Sequence, residues 1–355
     1  MNNISYYKGK KILVTGSTGF VGGWLSITLK TAFEAKVFGL GLNPITSSNF
    51  FDILNVDKFI EKNFITDILN EVDVENVMQK VNPDIVFHLA AQPIVSTSYK
   101  NPIETFNTNI VGTLNVLNSI KNLEKKVNCI IITSDKCYKN LENGLPFTED
   151  DPMGGFDPYS ASKAGCEIAS ESFAHSFFRD PGKPNIATAR AGNIVGGGDW
   201  SHDRVVTDLV HALSNKKNII LRNPMAVRPW QHVLDVVNGY IKLGQYIDSI
   251  SDSFSAFNFG PPKTHELNVE EVAKSFIAEW GGINTLIEKP KVKEKFYEST
   301  ILRLNSSKAH MELNWQTKLD QKETIKWTVD WYKAYLSKKN MRDKTIQDIN
   351  KYFLI

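Results

Sequence analysis

The sequence predicts an α/β protein, a Rossmann-type doubly wound parallel sheet with a smaller C-terminal α/β domain. Two observations predict it. Short apolar runs alternate with amphipathic helical stretches through the first half of the chain, which is the pattern of a parallel sheet covered by helices. After about residue 190 Gly and Pro punctuate the chain, and helical patterns dominate after Asn268. This change indicates a second domain over the carboxyl ends of the strands, where such sheets bind ligands.

Each element of the first half follows from its own apolar pattern. In chain order, we predict strands and helices at 11–15 (strand), 22–31 (helix), 36–42 (strand), 84–89 (strand), 102–123 (helix), 128–133 (strand), 159–178 (helix) and 185–189 (strand). The expected domains are 1–189, to which 231–259 returns, then 190–230 with 260–345, and a C-terminal arm at 346–355. We expect that arm, which is charged with an apolar tip, to dock on a partner subunit.

Composition excludes several classes of protein. The 355 residues include 41 Lys and Arg against 39 Asp and Glu, so neither a basic field for nucleic acid nor an acidic tail is present. No apolar run approaches the roughly 20 residues of a membrane helix, and the N-terminal residues lack the apolar core of a signal peptide. Three cysteines, without metal-ligand spacing and odd in number, suit a reducing compartment. We expect a cytoplasmic enzyme with no metal and no nucleic-acid or membrane partner.

A glycine-rich loop follows the first predicted strand. Residues 15–22 read TGSTGFVG, which places Gly16, Gly19 and Gly22 between a strand and a helix. Glycines let the backbone turn tightly and approach a pyrophosphate at the positive helix N-terminus, so the loop predicts dinucleotide binding. The second strand ends in GLGLNP, without the usual acid, and no Arg or Lys lies at 37–51 to bind a 2′-phosphate. The absence of a cation there favours NAD over NADP.

Two further motifs suggest catalysis. Tyr159 and Lys163 are four residues apart and share one face of a predicted helix, and a lysine beside a phenol lowers the pKa of the phenol. Alone, this spacing occurs by chance in many helices. Ser134, Asp135 and Lys136 follow a strand of the same sheet. They could supply a hydrogen bond, a general acid and a cation, or form an ordinary polar loop.

Taken together, the motifs are those of a known group of enzymes. TGSTGFVG, HLAAQ, TSDKCY, DPYSASK and ARAGNIVGGGDW occur in this order and resemble the extended short-chain dehydrogenase/reductase superfamily of nucleotide-sugar epimerases and dehydratases. The longer strings TSDKCY, DPMGGFDPYSASK, GGGDWSHDR and RNPMAVRPWQHVLD resemble its CDP-glucose 4,6-dehydratase subgroup. The resemblance extends from about Gly9 to the C-terminus. It implies NAD as cofactor, CDP-glucose as substrate, a homodimer or higher homo-oligomer, and a place in deoxysugar and O-antigen-type lipopolysaccharide biosynthesis.

The resemblance also implies residue roles. Tyr159 would be the base at the 4-hydroxyl of the sugar, Lys163 would tune it and bind the nicotinamide ribose, and Ser134 would hydrogen-bond the same hydroxyl. Asp135 would protonate the departing 6-hydroxyl. Lys136 stands where many dehydratases have a glutamate as carbon-5 base, and its exact role stays open. The implied cofactor site comprises Gly16, Thr18, Gly19, Phe20, Val21, Gly22, Asp67, Ile68, Leu89, Ala90, Ala91, Tyr159 and Lys163.

The implied reaction has three stages. Hydride passes from carbon 4 of the sugar to NAD, water is eliminated across carbons 5 and 6, and hydride returns to carbon 6. The implied substrate contacts are Gln92, Asn193, Arg204, Arg228, Glu298 and Arg303. Arginine suits a diphosphate because its guanidinium binds phosphate oxygens bidentately, although a single arginine is more often a solvated charge. Tyr297 replaces the usual histidine of the family, and an expected aspartate near Asn305 is missing.

Other functions remain open at this stage. The chain could be another nucleotide-sugar 4,6-dehydratase, a 4-epimerase, or a catalytically silent dinucleotide-binding regulator. An epimerase needs no acid at carbon 6, so the pair Asp135 and Lys136 favours dehydration. A silent relative would be expected to have lost one of Ser134, Asp135, Tyr159 and Lys163, and all four are present.

Overall fold

The described part of the chain, in a computed structural model, comprises residues 3–262, 264, 266–281, 286–288 and 299–354. The strands in chain order are β1 Lys11–Thr15, β2 Lys36–Gly41, β3 Lys62–Ile65, β4 Ile85–His88, β5 Asn128–Ile132, β6 Ile186–Ala191, β7 Ile194–Val195, β8 Ile219–Ile220, β9 Val227–Arg228, β10 Gln231–His232, β11 Phe254–Phe259, β12 Leu267–Asn268 and β13 Ile287–Glu288.

The helices surround these strands. In chain order they are α1 Asn3–Tyr7, α2 Phe20–Thr31, α3 Phe50–Leu54, α4 Glu71–Val81, α5 Val95–Lys100, α6 Pro102–Phe106, α7 Gly112–Lys121, α8 Pro158–Phe177, α9 Val205–Ser214, α10 Val233–Tyr246, α11 Val269–Trp280, α12 Ser307–Leu313, α13 Gln321–Leu336 and α14 Met341–Phe353. A π-helical turn at Asn107–Val111 joins α6 to α7, and 3₁₀ turns lie at Val56–Lys58, Asp135–Cys137 and Ile247–Ser249.

A parallel sheet of seven strands in the order β3-β2-β1-β4-β5-β6-β11 forms the centre of the fold. The order reverses between β1 and β4, and the crevice at such a reversal, outside the carboxyl ends of the strands, is where doubly wound sheets bind ligands. The predicted fold class is confirmed, and the predicted strands and helices of the first half agree with the structure to within a residue or two at their ends.

An apolar layer covers each face of the sheet, as the alternation of side chains along β1 shows. Ile12 and Val14 belong to one layer with residues of α2, α10, α13 and α14, and Leu13 belongs to the other with residues of α4, α7 and α8. Successive side chains of a strand point to opposite faces, so helices bury the sheet on both sides. No helix in the described ranges is both long enough and apolar enough to span a membrane.

Among the described residues, three two-stranded pairings lie outside the central sheet, β10 with β7, β12 with β9, and β13 with β8. The predicted smaller unit, 190–230 with 260–345, also contains α9 and α11. Strand β11, in the segment 231–259 that was expected to return to the first domain, is an edge strand of the central sheet. The remaining boundaries of the two domains stay predictions.

Aromatic side chains support the loop at 196–199. Trp24 Nε1 donates a hydrogen bond to the Gly197 carbonyl at 2.9 Å, and the Tyr332 hydroxyl donates to the Asp199 carbonyl at 2.5 Å. Trp331 packs so closely on Gly197 that a Cβ there would lie 2.0 Å from its ring. Helix α13, near the end of the chain, therefore holds a loop that lies beside the carboxyl ends of the strands.

The C-terminal segment is part of helix α14, which packs on its own chain. Tyr352 donates a hydrogen bond to Asp235 Oδ1 at 2.6 Å, and Arg342 donates to the Leu54 carbonyl at 3.3 Å. Ile349 and Tyr352 are buried. Ile349 and Tyr352 thus belong to the core layer beside α2, whereas Leu354 is exposed. The docking of the segment at 346–355 on a partner subunit stays a prediction.

Candidate active site

A cleft of about 920 Å³ opens at the carboxyl ends of the strands. Its lining comes from the glycine loop, the turns after β3, β4 and β5, the start of α8, and the smaller unit. All the residues predicted to bind a cofactor line this cleft, as do the predicted catalytic residues. The fold thus brings together side chains that lie more than a hundred residues apart in sequence.

The glycine loop is built so tightly that two of its glycines have no room for a side chain. A Cβ on Gly22 would lie 2.1 Å from the Gly16 carbonyl oxygen, and one on Gly16, which has a φ of +72°, would lie 2.8 Å from the Ala90 nitrogen. Gly19 is the N-cap of α2 without a side-chain cap, so the first N–H groups of the helix face the cleft. This is the arrangement that binds a pyrophosphate.

The turn after β3 forms another part of the cleft wall. Asp67 and Ile68 line the cleft, and Asp67 Oδ1 accepts a hydrogen bond from the Leu69 amide at 2.9 Å. Ile68 is held through its carbonyl, which accepts from Asn115 Nδ2 at 3.0 Å. In the absence of an acid after β2, Asp67 is the carboxylate that this edge of the sheet offers to a ribose or adenine.

Asp135 is a buried carboxyl group in the short turn after β5. Its side chain is 3% exposed, Oδ1 accepts from Ser134 Oγ at 3.0 Å, and Oδ2 has no hydrogen-bond partner among the described residues. Burial raises the pKa of Asp135, while the charges of Lys136 and Arg228 and the Ser134 hydrogen bond act in the opposite direction. A carboxyl group whose pKa is raised holds its proton more tightly than an exposed one, and such a group can donate a proton into the cleft.

Tyr159 lies at the start of α8, which begins where Asp157 caps the helix by accepting from the Ser160 amide at 2.9 Å. Burial raises the pKa of Tyr159 to about 12, and a side-chain hydrogen bond with Ser134 and the charge of Arg204 oppose this rise. Ser134 donates to Asp135, and Tyr159 lines the same cleft as both of them.

Lys163 lies one turn after Tyr159 on α8, and both line the cleft, as the helical spacing predicts. Its Nζ donates to the Ile132 carbonyl at 3.0 Å, and burial lowers its pKa. Burial is the largest influence on the Tyr159 pKa, and the lowering of that pKa by Lys163 stays a prediction.

His88 belongs to the core and not to the chemistry. Its Nδ1 lies 2.7 Å from Thr15 Oγ1 and its Nε2 lies 2.9 Å from Thr113 Oγ1. Burial lowers the pKa of His88 to about 3, so the ring is neutral at physiological pH. It links β1 and β4 to α7 below the cleft.

Three of the six predicted substrate contacts line the cleft, namely Asn193, Arg204 and Arg228. Arg204 pairs with Asp199 at 3.4 Å, and Arg228 NH2 donates to the Ser299 carbonyl at 2.6 Å. The described structure does not bring Gln92 or Arg303 into the cleft lining. Glu298, like Tyr297, lies outside the described residues.

The side chains of Gln92 and Arg303 are committed to other partners. Gln92 Oε1 accepts from the Ile94 amide at 2.7 Å, and Nε2 donates to Thr105 Oγ1 at 2.9 Å. Arg303 makes a bidentate pair with Glu266, at 2.6 and 2.7 Å. Their predicted substrate contacts stay predictions, and in this arrangement the same polar groups bind intramolecular partners.

Sequence reasoning missed several residues of the cleft. Asp199 and Trp200 line it; they stand in the GGGDW string, which was a usable signal. Tyr240 also lines it, with a buried hydroxyl that has no hydrogen-bond partner among the described residues. The sequence does not indicate a cleft position for Tyr240, since its place on the buried side of α10 is typical of a core residue. In the described part of the chain no group of three or more His, Cys, Asp or Glu could hold a metal ion.

Known proteins are similar to this chain over nearly its whole length. A CDP-glucose 4,6-dehydratase of Salmonella typhimurium is 37% identical over 354 residues, covering 98% of this chain and 97% of that protein. A dTDP-glucose 4,6-dehydratase of Haemophilus influenzae is 28% identical, covering 90% and 97%.

Solved structures show the same fold. A dTDP-glucose 4,6-dehydratase from Bacillus anthracis in complex with NAD has a TM-score of 0.77 at 21% identity, covering 93% of this chain and 99% of that one. An epimerase from Methanothermobacter thermautotrophicus has a TM-score of 0.82 at 24% identity, covering 97% of each chain.

The family model described as GDP-mannose 4,6 dehydratase matches residues 13–328. That range includes the glycine loop, the turn after β5, the start of α8 and most of the smaller unit. The chain belongs to the GDP-mannose 4,6 dehydratase family of the nucleotide-sugar epimerases and dehydratases.

Proposed function

We propose that the protein is an NAD-dependent CDP-glucose 4,6-dehydratase, which converts CDP-glucose to CDP-4-keto-6-deoxyglucose. The observation that carries this proposal is the buried Asp135 carboxyl group, which accepts a hydrogen bond from Ser134 and whose second oxygen has no partner among the described residues. It lines the same cleft as Tyr159. An epimerase needs a base at carbon 4 but no acid at carbon 6. The similarity to the CDP-glucose 4,6-dehydratase of Salmonella typhimurium supports CDP-glucose over other nucleotide sugars.

The cleft fits NAD. The cradle between Gly16 and Gly22, where a Cβ would meet backbone at 2.1 Å, leaves the α2 N-terminus open to the pyrophosphate, and Asp67 is available to the adenosine. Bound NAD supplies the acceptor for the hydride of carbon 4 and its later return to carbon 6. Lys163 would bind the nicotinamide ribose, since an ammonium group has three N–H donors and the bond to the Ile132 carbonyl uses one of them.

The first proton is that of the 4-hydroxyl of the sugar. Tyr159 would take it, helped by its hydrogen bond with Ser134 and by the charge of Arg204, both of which act against the effect of burial on the phenol. Removal of this proton must accompany the loss of hydride from the same carbon, because only then does a carbonyl form.

The second step eliminates water. A carbonyl at carbon 4 acidifies the proton on carbon 5, and a hydroxyl leaves carbon 6 as water only if it receives a proton. Asp135 would donate that proton, since burial raises its pKa. Lys136 lines the cleft beside it, and its role, as acceptor of the carbon-5 proton or as the group that stabilises the enolate, stays open.

The diphosphate of the substrate would bind at the smaller unit. Arg204, Arg228 and Asn193 line the cleft there, and a guanidinium donates two parallel hydrogen bonds to phosphate oxygens. Arg204 is the more accessible of the two arginines, with its side chain 34% exposed. Glu298 stays a proposed contact on the strength of the sequence resemblance alone.

We also propose that the protein works in the cytoplasm as a homodimer or higher homo-oligomer, in deoxysugar and O-antigen-type polysaccharide biosynthesis. The exposed side chains of Ile103, Val111 and Ile168, on the α6 to α8 side of the molecule, support self-association. Light scattering of the purified protein tests it, and a monomeric mass would contradict the proposal.

The activity is tested by incubating the purified protein and NAD separately with CDP-glucose, UDP-glucose, dTDP-glucose, GDP-mannose and UDP-N-acetylglucosamine. Mass spectrometry should find the loss of one water from CDP-glucose only. Water loss from another sugar would keep the mechanism and overturn the substrate. An isomer of unchanged mass would indicate an epimerase, and unchanged substrates in all tubes would indicate a silent dinucleotide binder.

A further inference from the structure

A buried ion pair lies behind the turn that carries Ser134 and Asp135. Arg190 NH2 and Glu167 Oε2 are 2.9 Å apart, and their side chains are 4% and 2% exposed. Of the residues that the structure describes, neither belongs to the lining of the cleft. The pair therefore has no contact with a substrate and needs another explanation.

The pair holds both ends of the turn at residues 133–138, which we call the catalytic loop. At its start, Thr133 Oγ1 donates a hydrogen bond to Glu167 Oε1. At its end, Arg190 NH1 donates to the Tyr138 hydroxyl at 2.8 Å, and the guanidinium lies 5.1 Å from the centre of the Tyr138 ring. One ion pair thus holds both ends of the segment that carries Ser134 and Asp135.

The same pair joins the catalytic loop to the rest of the site. Glu167 lies on α8, one turn after Lys163 and two after Tyr159, and it also accepts from Thr188 Oγ1 of β6 at 2.7 Å. Arg190 lies on β6 and donates to the Glu149 carbonyl at 2.9 Å. Loop, helix and strand are therefore connected through two side chains.

Stability alone does not account for such a pair. Removing two charges from water carries a large desolvation penalty, and apolar residues of similar volume often serve a core as well or better. What an ion pair with several directed hydrogen bonds provides is a fixed geometry, because each bond tolerates only a narrow range of distance and angle.

We propose that Glu167 and Arg190 are positioning residues of the active site, which hold the catalytic loop against α8 so that Ser134 and Asp135 meet Tyr159 in the reactive arrangement. The inference rests on the proposed function for the reaction it serves. Its structural part, the ordering of residues 133–138, holds for any sugar that the cleft accepts.

An electrostatic effect supports this role. Burial lowers the pKa of Lys163, whereas Cys166 and the carboxylate of Glu167 raise it. Glu167 therefore favours the charged ammonium form of the lysine that is expected to bind the ribose. The same side chain thus positions one catalytic group and favours the charge of another.

The test uses the single variant Glu167→Gln and the double variant Glu167→Gln/Arg190→Met. The single variant leaves the guanidinium buried without its carboxylate, so it is expected to lose stability; the double variant removes both charges and should regain much of it. We expect the kcat of the double variant to stay about 100-fold below that of the wild type, because a displacement of about 1 Å has such an effect. Its KM should change less than about threefold. A double variant with wild-type kcat would overturn the proposal.

Hydrogen exchange gives a readout that does not depend on turnover. Peptides covering residues 133–138 should exchange faster in the double variant than in the wild type, and peptides of β1 and α2 should not. Asp348→Asn is the matched control, since Asp348 is a buried carboxylate paired with Lys344 at 2.6 Å, far from the loop. Unchanged exchange at 133–138 would overturn the positioning role. The lack of water loss from every nucleotide sugar would refute the proposed function instead, and the exchange result would still decide the positioning role.

Discussion

Replacing Gly22 by alanine should strongly weaken cofactor binding without unfolding the protein. The new Cβ would lie 2.1 Å from the Gly16 carbonyl oxygen and 2.8 Å from the Gly16 carbonyl carbon. Both are backbone atoms, so no side chain can rotate away. The glycine loop cannot retreat either, because Gly16 donates to the Leu40 carbonyl at 2.7 Å and lies directly against the backbone of Ala90.

The size of the effect follows from this geometry. An ordinary contact of the new methyl group requires the loop and the start of α2 to separate by about 1 Å, and displacements of that size cost on the order of 100-fold in function. For binding, 100-fold corresponds to about 2.7 kcal/mol. We therefore expect the Kd for NAD to rise at least on that order in Gly22→Ala.

The assay is a titration of intrinsic tryptophan fluorescence with NAD, accompanied by thermal unfolding. Gly182→Ala is the control, since Gly182 has a φ of +82°, no atom within 4 Å of its Cβ position, and a place outside the cleft lining. It should lose about 1 kcal/mol of stability and bind NAD normally. If Gly22→Ala folds and binds NAD within a few-fold of the wild type, the reasoning about the cradle is refuted.

Three further predictions concern charged groups. Asp135→Asn should lower the kcat for water loss by roughly 10²–10⁴-fold, because the amide cannot protonate the leaving hydroxyl. The affinity for NAD should stay near that of the wild type. Mass spectrometry of the product measures the rate of water loss, and a decrease of less than tenfold would contradict the prediction. Arg204→Met should raise the KM for CDP-glucose on the order of tenfold. It should also move the rise of kcat with pH to higher pH, since loss of a cation raises the Tyr159 pKa. Initial rates measured across pH test both effects, and an unchanged KM would count against the phosphate contact. Burial raises the pKa of Asp235 from 3.8 to about 6, so the folded protein binds a proton that the unfolded chain has lost, and stability present at low pH falls as the pH rises through about 6. Asp235→Asn should flatten this fall by up to about 3 kcal/mol in denaturant unfolding, and parallel pH profiles of the two proteins would refute it.

Strands β3 and β11 were not among the predicted strands, since KNFI and FSAFNF contain polar residues and no residue of β3 is fully buried. The other five strands of the central sheet were predictable from sequence because they are mainly apolar runs that stay buried. The break in the helix at 102–123 was not. There, a π-helical turn contains Asn109, whose side chain accepts from the Gln92 amide at 2.8 Å and donates to Ser162 Oγ at 2.8 Å. Those partners come from a distant loop and from α8, so the local sequence carries no sign of the turn.

The candidate site also has parts that could be predicted from the sequence and parts that could not. The glycine loop and the TSDKCY turn were predictable, since strand ends and short motifs specify them. The orientation of Lys163 toward the Ile132 carbonyl, the commitment of Gln92 to Thr105, and the clamp between Glu167 and Arg190 were not. Each depends on which polar groups remain to be satisfied after the chain has folded, and helical spacing does not contain that information.

The support of the loop at 196–199 by α13 has a consequence for biosynthesis. Gly197 packs on Trp331, and Asp199 accepts a hydrogen bond from Tyr332, so one wall of the cleft depends on side chains that follow all seven strands of the central sheet in the chain. Domains generally fold during synthesis from the N-terminus. The nascent protein would therefore carry a complete central sheet with an unfinished active site until α13 is synthesised, and we expect a chain truncated before α13 to lack activity.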